Sequence, residues 1–455
     1  MHKVSGAWLI HEYRVTVELM PTGFEKSARR MRASNFVRPG AIAALAVCLP
    51  LVTIPAAQSS TSAEEVTDAV TSSSLYPAPG QPSSEPEHGD STSVVQKDED
   101  DLRVATLHTG ITADSSADQP VENLISALRT GNHTGSRAVA QTVQTNAPDV
   151  LVLTGVSYDT EQQIAELLKD HYFAAGQRSE TGLDYPYVFT APTNSGRESG
   201  VDLDGDGTIG GAGDAIGYGE YPGQYGTVIF SKYPIVEDQV RTFQNFLWSD
   251  LPENSMPEDR YSELEESVLR LNETSLWDVP VDVDGETVHI ISSSVVADHD
   301  DAEPARGEDI RRVVADYAAG QAWYLYDDDG ETSSLSPGTP FVMAGIPAAR
   351  GASAEDVSDL LDSPVIQDPE PEAVTEVPLS ERADSPPDPD ATATHHIPDE
   401  QLHRSSFVLP SAALEVTGSG VFWPGQGERG YEVVNPDSAY SLDDRLVWVD
   451  LTIDR

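Results

Sequence analysis

Seven short apolar runs, spread from residue 102 to residue 451, most narrow what this chain can fold into. They read LRVATL (102–107), DVLVL (149–153), GTVIF (226–230), TVHIIS (287–292), PFVMA (340–344), SFVL (406–409) and RLVWVDL (445–451). Runs this short and rich in Val and Ile suit buried strands, whereas helices need longer stretches to present an apolar stripe. Between them lie segments with helical spacing: 136–146 (SRAVAQTVQTN), 160–169 (TEQQIAELLK) and 308–324 (EDIRRVVADYAAGQAWY). In the last, Ile310, Val313, Val314 and Tyr317 share one face, and the first turn is acidic, as a helix start prefers. Strands and helices interleaved along the whole length predict an α/β domain whose helices cover the sheet faces.

The flanks have a different character. An apolar segment, 41–54 (AIAALAVCLPLVTI), follows Arg29, Arg30, Arg32 and Arg38 and precedes the small residues Ala56, Ala57 and Ser59. Basic, then apolar, then small is the order of a secretory signal peptide, so residues 1–57 are expected to direct export, with Met31 as the expected start. Pro50 and Pro55 break the run, so no membrane span is expected in the mature chain. The single cysteine, Cys48, lies in this segment, which leaves the body without a disulfide, a cysteine-held zinc or a cysteine nucleophile. Residues 58–100 are Ser, Thr, Pro and acid with few large apolar groups, and they read as a disordered leader. The Pro- and acid-rich stretch 366–400 reads as a disordered surface insertion within a folded domain spanning 101–455.

Charge then limits the partners. The chain holds 27 Lys and Arg against 76 Asp and Glu, a net charge of −49. Such a surface repels nucleic acid, polyphosphates and anionic membrane at long range and favours solubility. A bacterial protein that is secreted or held at the cell surface is expected, with a protein or cell-wall component as partner rather than nucleic acid.

One loop has the makings of a cation site. In SGVDLDGDGTIGGAGDAIGYG (199–219), Asp202, Asp204 and Asp206 alternate and Gly207 follows. Alternation lets three carboxylates converge on one hard cation, as at the opening of an EF-hand calcium loop. The twelfth position, normally a carboxylate, is Gly213, and Asp214 comes one residue later. A structural Ca²⁺ held by Asp202, Asp204, Asp206 and Asp214 is the expectation.

No zinc-protease, P-loop, nucleophile-elbow or dinucleotide motif occurs in a usable context. What does occur is a series of segments in a fixed order: LRVATLHTG, NAPDVLVLTGVSYD, YGTVIFSKYPI, RTFQNFLW, WDVPVDVDGETVHIISSS, PFVMAGIPA, SFVLPS and SLDDRLVWVD. This order resembles the endonuclease/exonuclease/phosphatase family, and more narrowly its secreted, phytase-like bacterial branch, over roughly residues 101–455. The resemblance implies a four-layered, DNase I-like α/β sandwich of two packed mixed sheets flanked by helices. It also implies Mg²⁺-dependent cleavage of phosphate esters by a set of Asn, Glu, Asp and His residues at strand ends.

Carried over position by position, that set is largely gone. The metal-side Asn falls on His108 and the metal-binding Glu on Gly155. The His after the VHII strand falls on Ser294, and the Asp-x-Asn pair falls on Ile346 and Ala348. The Asp before the Leu-Pro-Ser turn falls on Ser406, and the terminal Asp-His pair is here Asp443-Asp444. Asp443 alone matches, while framework residues such as Lys232, Trp277, Gly345, Arg445 and Trp448 fit. Catalytic sets of this kind act as a unit, so the resemblance with its altered positions implies a non-catalytic protein with a binding or surface role. The alternative is an active Mg²⁺-dependent phosphoesterase with a rearranged site drawn from His108, Asp443, Asp444 and a carboxylate from a neighbouring loop. His289, alternating with Val288 and Ile290, is expected to pack or to face solvent, and the aromatic residues of QAWYLYDDDG (321–330) are expected in core and strand.

Overall fold

The structure, a computed structural model, describes residues 95–294, 304–347, 357–373 and 404–453. The signal-like segment, the leader up to residue 94, Ala348 and insertion residues 374–400 lie outside the described residues. In chain order the first half comprises β1 (Leu102–Ile111), α1 (Pro120–Leu128), α2 (Thr134–Asn146), β2 (Val150–Val156), α3 (Gln163–Leu167), β3 (Tyr187–Phe189) and β4 (Gly226–Ser231). Then come β5 (Arg241–Thr242), α4 (Glu263–Glu266), β6 (Leu276–Val283), β7 (Glu286–Ser293), α5 (Pro304–Ala318) and β8 (Phe341–Pro347). The chain finishes with α6 (Ser358–Leu361), β9 (Ser406–Pro410), β10 (Glu415–Val421) and β11 (Val447–Thr452).

The strands form two mixed sheets. One is ordered β10-β11-β1-β2-β4-β3 and the other β5-β6-β7-β8-β9. Each contains one parallel pair, β1 with β2 and β7 with β8, within otherwise antiparallel neighbours. Because side chains alternate across a strand, each sheet buries two faces. Leu102 and Val104 of β1, with Val150 and Val152 of β2, pack against Val279, Val281, Ile290, Val342 and Val408 of the second sheet. The alternate residues Ala105, Leu107, Leu151 and Leu153 pack outward against Leu124, Leu128, Val139 and Val143 of α1 and α2. On the far side, Ile291, Phe341 and Met343 meet Ile310, Val313, Val314 and Tyr317 of α5. Three apolar cores separate four layers, so the molecule is the expected α/β sandwich. Each fully buried Val, Leu, Ile or Phe in these cores contributes on the order of 1.5–3 kcal/mol.

All seven expected strands are present, and α2 and α5 lie where helical spacing placed them. The helix expected over 160–169 starts later, because the Asp159 carboxylate accepts the N–H groups of Gln163 and Ile164 at 3.0 and 2.9 Å. It then continues as a π-helical turn over Leu168–Phe173. Helix α5 stops at Ala318 rather than at 324, and Gly320 just beyond it takes a left-handed φ of +73°. Of the aromatic residues after it, Tyr324 and Tyr326 pack against Phe246, whereas Trp323 is 76% exposed instead of lying in the core.

The ends of β1 and β2 where the chain enters are fastened by charge. Asp149, just before β2, accepts from Lys97, from Lys232 at 3.1 Å and from the Arg103 N–H at 2.9 Å. Arg103 makes a two-point pair with Asp450 of β11, both bonds 2.7 Å, and lies 4.1 Å above the Trp448 ring. Residues 95–100, part of the expected leader, are thereby laid against the sandwich. The first residues of the acid-rich insertion are likewise ordered. Ile366 bridges to Ser411 beside β9, Val421 of β10 donates to Glu372 O at 3.0 Å, and Ala373 bridges to Val421. This strap runs from the edge strand of one sheet to the edge strand of the other, and Arg404 grips its Asp368 through both carboxylate oxygens.

Candidate functional site

Topology brings the positions singled out by the resemblance to one end of the sandwich. His108 and Gly155 lie near the C-terminal ends of the parallel strands β1 and β2. Ser294 directly follows β7, Ile346 is next to last in β8, and antiparallel pairing sets Ser406 opposite Pro347 at the same end. Antiparallel pairing of β11 with β1 puts Val447 beside Thr106, so Asp443 and Asp444 precede β11 beyond that end. The two sheets meet here directly. The Thr227 and Ser294 hydroxyls lie 3.5 Å apart, and a Cβ at Gly345 would sit 2.9 Å from both Thr154 and Val152.

At the centre of this end, His108 and Gly155 fit each other. The His108 Nδ1 is 3.1 Å from the Thr154 hydroxyl, and Thr109 donates to the Thr154 and Gly155 carbonyls, each at 3.1 Å. That places the imidazole directly over Gly155. A Cβ added at position 155 would come within 2.5 Å of His108 Cε1 and 2.8 Å of Nε2. Gly155 also has φ +66°, a left-handed conformation that only glycine adopts without cost. The backbone therefore disfavours a side chain at this position, and one could enter only if the His108 ring moved aside.

Around the pair the wall is made of neutral hydroxyls. Ser294 shares hydrogen bonds with Thr274, their hydroxyls 2.8 Å apart. Trp277 and Ser292 are opposed across the β6–β7 ladder, on the face that meets the first sheet. The Trp277 Nε1 and the hydroxyls of Ser275, Ser292 and Ser293 are buried without a hydrogen-bond partner among the described residues. Of these groups sequence reading singled out only Ser294 and Trp277, although the polar runs NETS (272–275) and SSS (292–294) at strand ends were a signal for the others.

The last expected position divides in two. Asp443 is exposed and Asp444 is buried. The guanidinium of Arg445 donates to the carbonyls of Leu442, Asp444 and Val434 and lies 4.4 Å over the Trp423 ring. Burial pulls its pKa down to about 10, while Asp444 and Asp443 act in the opposite direction. His108, Asp443 and Asp444 do not form a convergent ligand group. Among the described residues the one group of three acidic or histidine ligands within 4.8 Å of one another is Asp202, Asp204 and Asp206.

In that loop Asp202 accepts the Gly205 and Gly207 N–H groups, each at 2.9 Å, and Asp206 accepts from Thr208 at 2.6 Å. A Cβ at Gly213 would lie 2.3 Å from the Asp204 Oδ2, so the carboxylate would have to turn aside to admit one. Asp214 stands apart from the triad. Its buried carboxylate takes the N–H groups of Leu203, Asp204 and Gly210 at 2.6, 3.2 and 2.7 Å, which closes the loop on itself. His289, expected as a packing or surface residue, is half-buried and bonded through Nδ1 to Asp278 at 2.7 Å. The Tyr317 hydroxyl donates to the other oxygen of Asp278 at 2.6 Å. Burial, then the Asp278 charge, raises the Tyr317 phenol far above its ordinary value, so it remains a donor.

Comparison with known proteins points to the same family. Residues 123–345 match the Endonuclease/Exonuclease/phosphatase family. Among solved structures, the chain is similar to an endonuclease/exonuclease/phosphatase from Beutenbergia cavernae DSM 12333, at 19% identity and TM-score 0.42, covering 78% of this chain and 72% of that one. It is also similar to an endonuclease/exonuclease/phosphatase from Bacteroides vulgatus, at 12% identity and TM-score 0.39, covering 78% and 99%. A third similar structure is sphingomyelinase C from Streptomyces griseocarneus, at 15% identity and TM-score 0.37, covering 77% and 99%. No curated protein matches the sequence.

Proposed function

We propose, for a chain whose residues 123–345 are those of the endonuclease/exonuclease/phosphatase family, that the phosphoesterase-like fold is kept while its chemistry is lost. The protein is read as an exported, non-catalytic binding protein. The observation that carries this reading is the His108 ring lying where a side chain at position 155 would project. In the resemblance, these two positions supply the Asn and Glu that help hold Mg²⁺. Mg²⁺ requires hard oxygen ligands in near-octahedral geometry. An imidazole over a glycine does not fit that requirement. Among the described residues the hydroxyl wall provides no cation to meet a phosphate, and a net charge of −49 opposes polyphosphate approach. Its partner is a protein or a cell-wall component.

The test is an assay of the purified chain with Mg²⁺, Mn²⁺ or Ca²⁺ against a phosphodiester dye, plasmid DNA and phytate. No metal-dependent turnover is expected. Turnover that disappears in Asp443→Ala would overturn the reading in favour of a rearranged phosphoesterase site.

The loop from Asp202 to Asp214 is proposed as a structural Ca²⁺ site, supported by three carboxylates within 4.8 Å of one another. Calorimetric titration with Ca²⁺ should give binding heat that is lost in Asp204→Ala; no heat at millimolar Ca²⁺ removes the site.

A further inference from the structure

Beside the site, the loops that follow β2 and β3 meet α1 and the approach to β4 around a groove of about 590 Å³, a size typical of ligand-binding pockets. Main-chain bonds hold its floor in place. The Tyr158 N–H donates to Gly223 O, and the Gly223 N–H donates to Ser195 O, each at 2.8 Å. Gly223 is at φ +85°, and a Cβ there would come within 2.6 Å of Tyr158 O, so the two segments approach as closely as glycine permits. The groove is therefore formed before anything enters it.

Its surface combines two kinds of chemistry. Val121, Tyr158, Pro192 and Pro222 give apolar area, while Glu122, Asp159 and Glu161 line the α1–α3 side with carboxylates. One cation, Arg197, stands against these three acids, exposed and without an ion-pair partner among the described residues. A carboxylate set beside a half-buried aromatic ring suits an ammonium or guanidinium group. Burial, and secondarily the Asp159 charge, raises the Tyr158 phenol, so the ring stays neutral as a contact for a cation. Nucleic acid and polyphosphate are disfavoured by three acids to one base. A bare polyamine would leave the proline and valine surface uncovered.

We propose that this groove binds an extended basic peptide whose Lys or Arg side chains meet Glu122, Asp159 and Glu161 while intervening apolar side chains cover Val121, Tyr158 and Pro222. The proposal rests on the non-catalytic binding reading and names the class of partner for it. Arg197, across the groove, is placed to meet the peptide's carbonyl or carboxylate groups.

The experiment is fluorescence anisotropy of labelled (Lys-Leu)₃ with the full chain at about 0.15 M salt, where long-range attraction is screened beyond about 8 Å. The comparators are (Lys-Ser)₃ and (Glu-Leu)₃. Binding of (Lys-Leu)₃ should be at least about tenfold tighter than that of (Lys-Ser)₃, with none for (Glu-Leu)₃. The double variant Glu122→Gln/Glu161→Gln should lose about tenfold in affinity. The control Glu237→Gln/Asp238→Asn removes the same charge from another exposed loop and should lose nothing. Equal binding of both basic peptides, or equal loss in the two double variants, would reduce the effect to net charge and overturn the groove. No peptide binding and no phosphoesterase turnover would overturn the groove alone. Turnover would overturn the non-catalytic reading whichever peptide binds.

Discussion

Where the chain enters β1 and β2, Asp149 gathers Lys97, Lys232 and the Arg103 N–H, and Arg103 grips Asp450 with two bonds. Where the same strands leave the sheet, His108 lies over Gly155 among Thr154, Thr227, Thr274 and Ser294. The two regions share strands, register and core, yet one is built from satisfied charge and the other from neutral hydroxyls. The difference separates two uses of polar groups. Charge joins strands of the fold at the first end, while at the second His108, Gly155 and Ser294 stand where the resemblance has Asn, Glu and His.

The comparison can be broken most forcefully at the charged end. Asp450→Ala would leave the Arg103 guanidinium buried and unpaired, and a loss of about 3–5 kcal/mol in denaturant stability is expected. A loss below about 1 kcal/mol would mean that the charged end is ornamental. At the neutral end, Gly155→Ala adds a Cβ against His108 in a left-handed backbone and should cost about 1–3 kcal/mol. Shortening the ring should relieve part of that cost, so the His108→Ala/Gly155→Ala pair should fall short of additivity by about 0.5 kcal/mol or more. Strict additivity would show that the ring and the glycine do not constrain each other.

Acid sharpens the contrast further. His133 caps α2, with Nδ1 accepting the Ser136 N–H, and burial lowers its pKa below the ordinary value of 6.5. Helix α2 ends at Asn146, whose carbonyl meets Arg103, so its 13 residues run back from the charged end. Because the unfolded chain takes up the proton first, stability should fall as pH drops below 6.5 toward the lowered folded value. His133→Asn keeps a capping side chain and should flatten that slope; an unchanged slope between pH 7 and 5 would assign it elsewhere. The smallest effect is expected at Ser292→Ala. Removing a buried hydroxyl that has no partner should leave stability unchanged or raise it by up to about 1 kcal/mol.

What could be read from sequence follows the same division. Apolar runs announce themselves, so β1, β2, β4, β7, β8, β9 and β11 were legible from Val and Ile alone. Strand β6 was not, because Asp278, Pro280 and Asp282 interrupt its pattern. Asp278 is nevertheless buried, since His289 and Tyr317 bond both its oxygens. Strand β10 was hidden for another reason: Gly418 and Gly420 make room for the Trp448 ring, which a Cβ at Gly420 would meet at 2.7 Å. At the candidate site, family resemblance alone identified His108 and Gly155, and their mutual fit needs coordinates. Of the hydroxyl wall the resemblance picked out only Ser294, because serines carry no periodicity of their own. The calcium-like triad could be read from spacing, whereas the separate place of Asp214 depends on how the loop closes.

The strap over residues 366–373 has a consequence for how this molecule can meet others. An open sheet edge is a template on which a foreign strand can add. Here the strap pairs with the end of β9 at Pro410 and Ser411 and with the end of β10 at Val421, and the opposite margins, β3 and β5, are only three and two residues long. The strap therefore closes the Pro410 end of β9 and the Val421 end of β10 against an added strand.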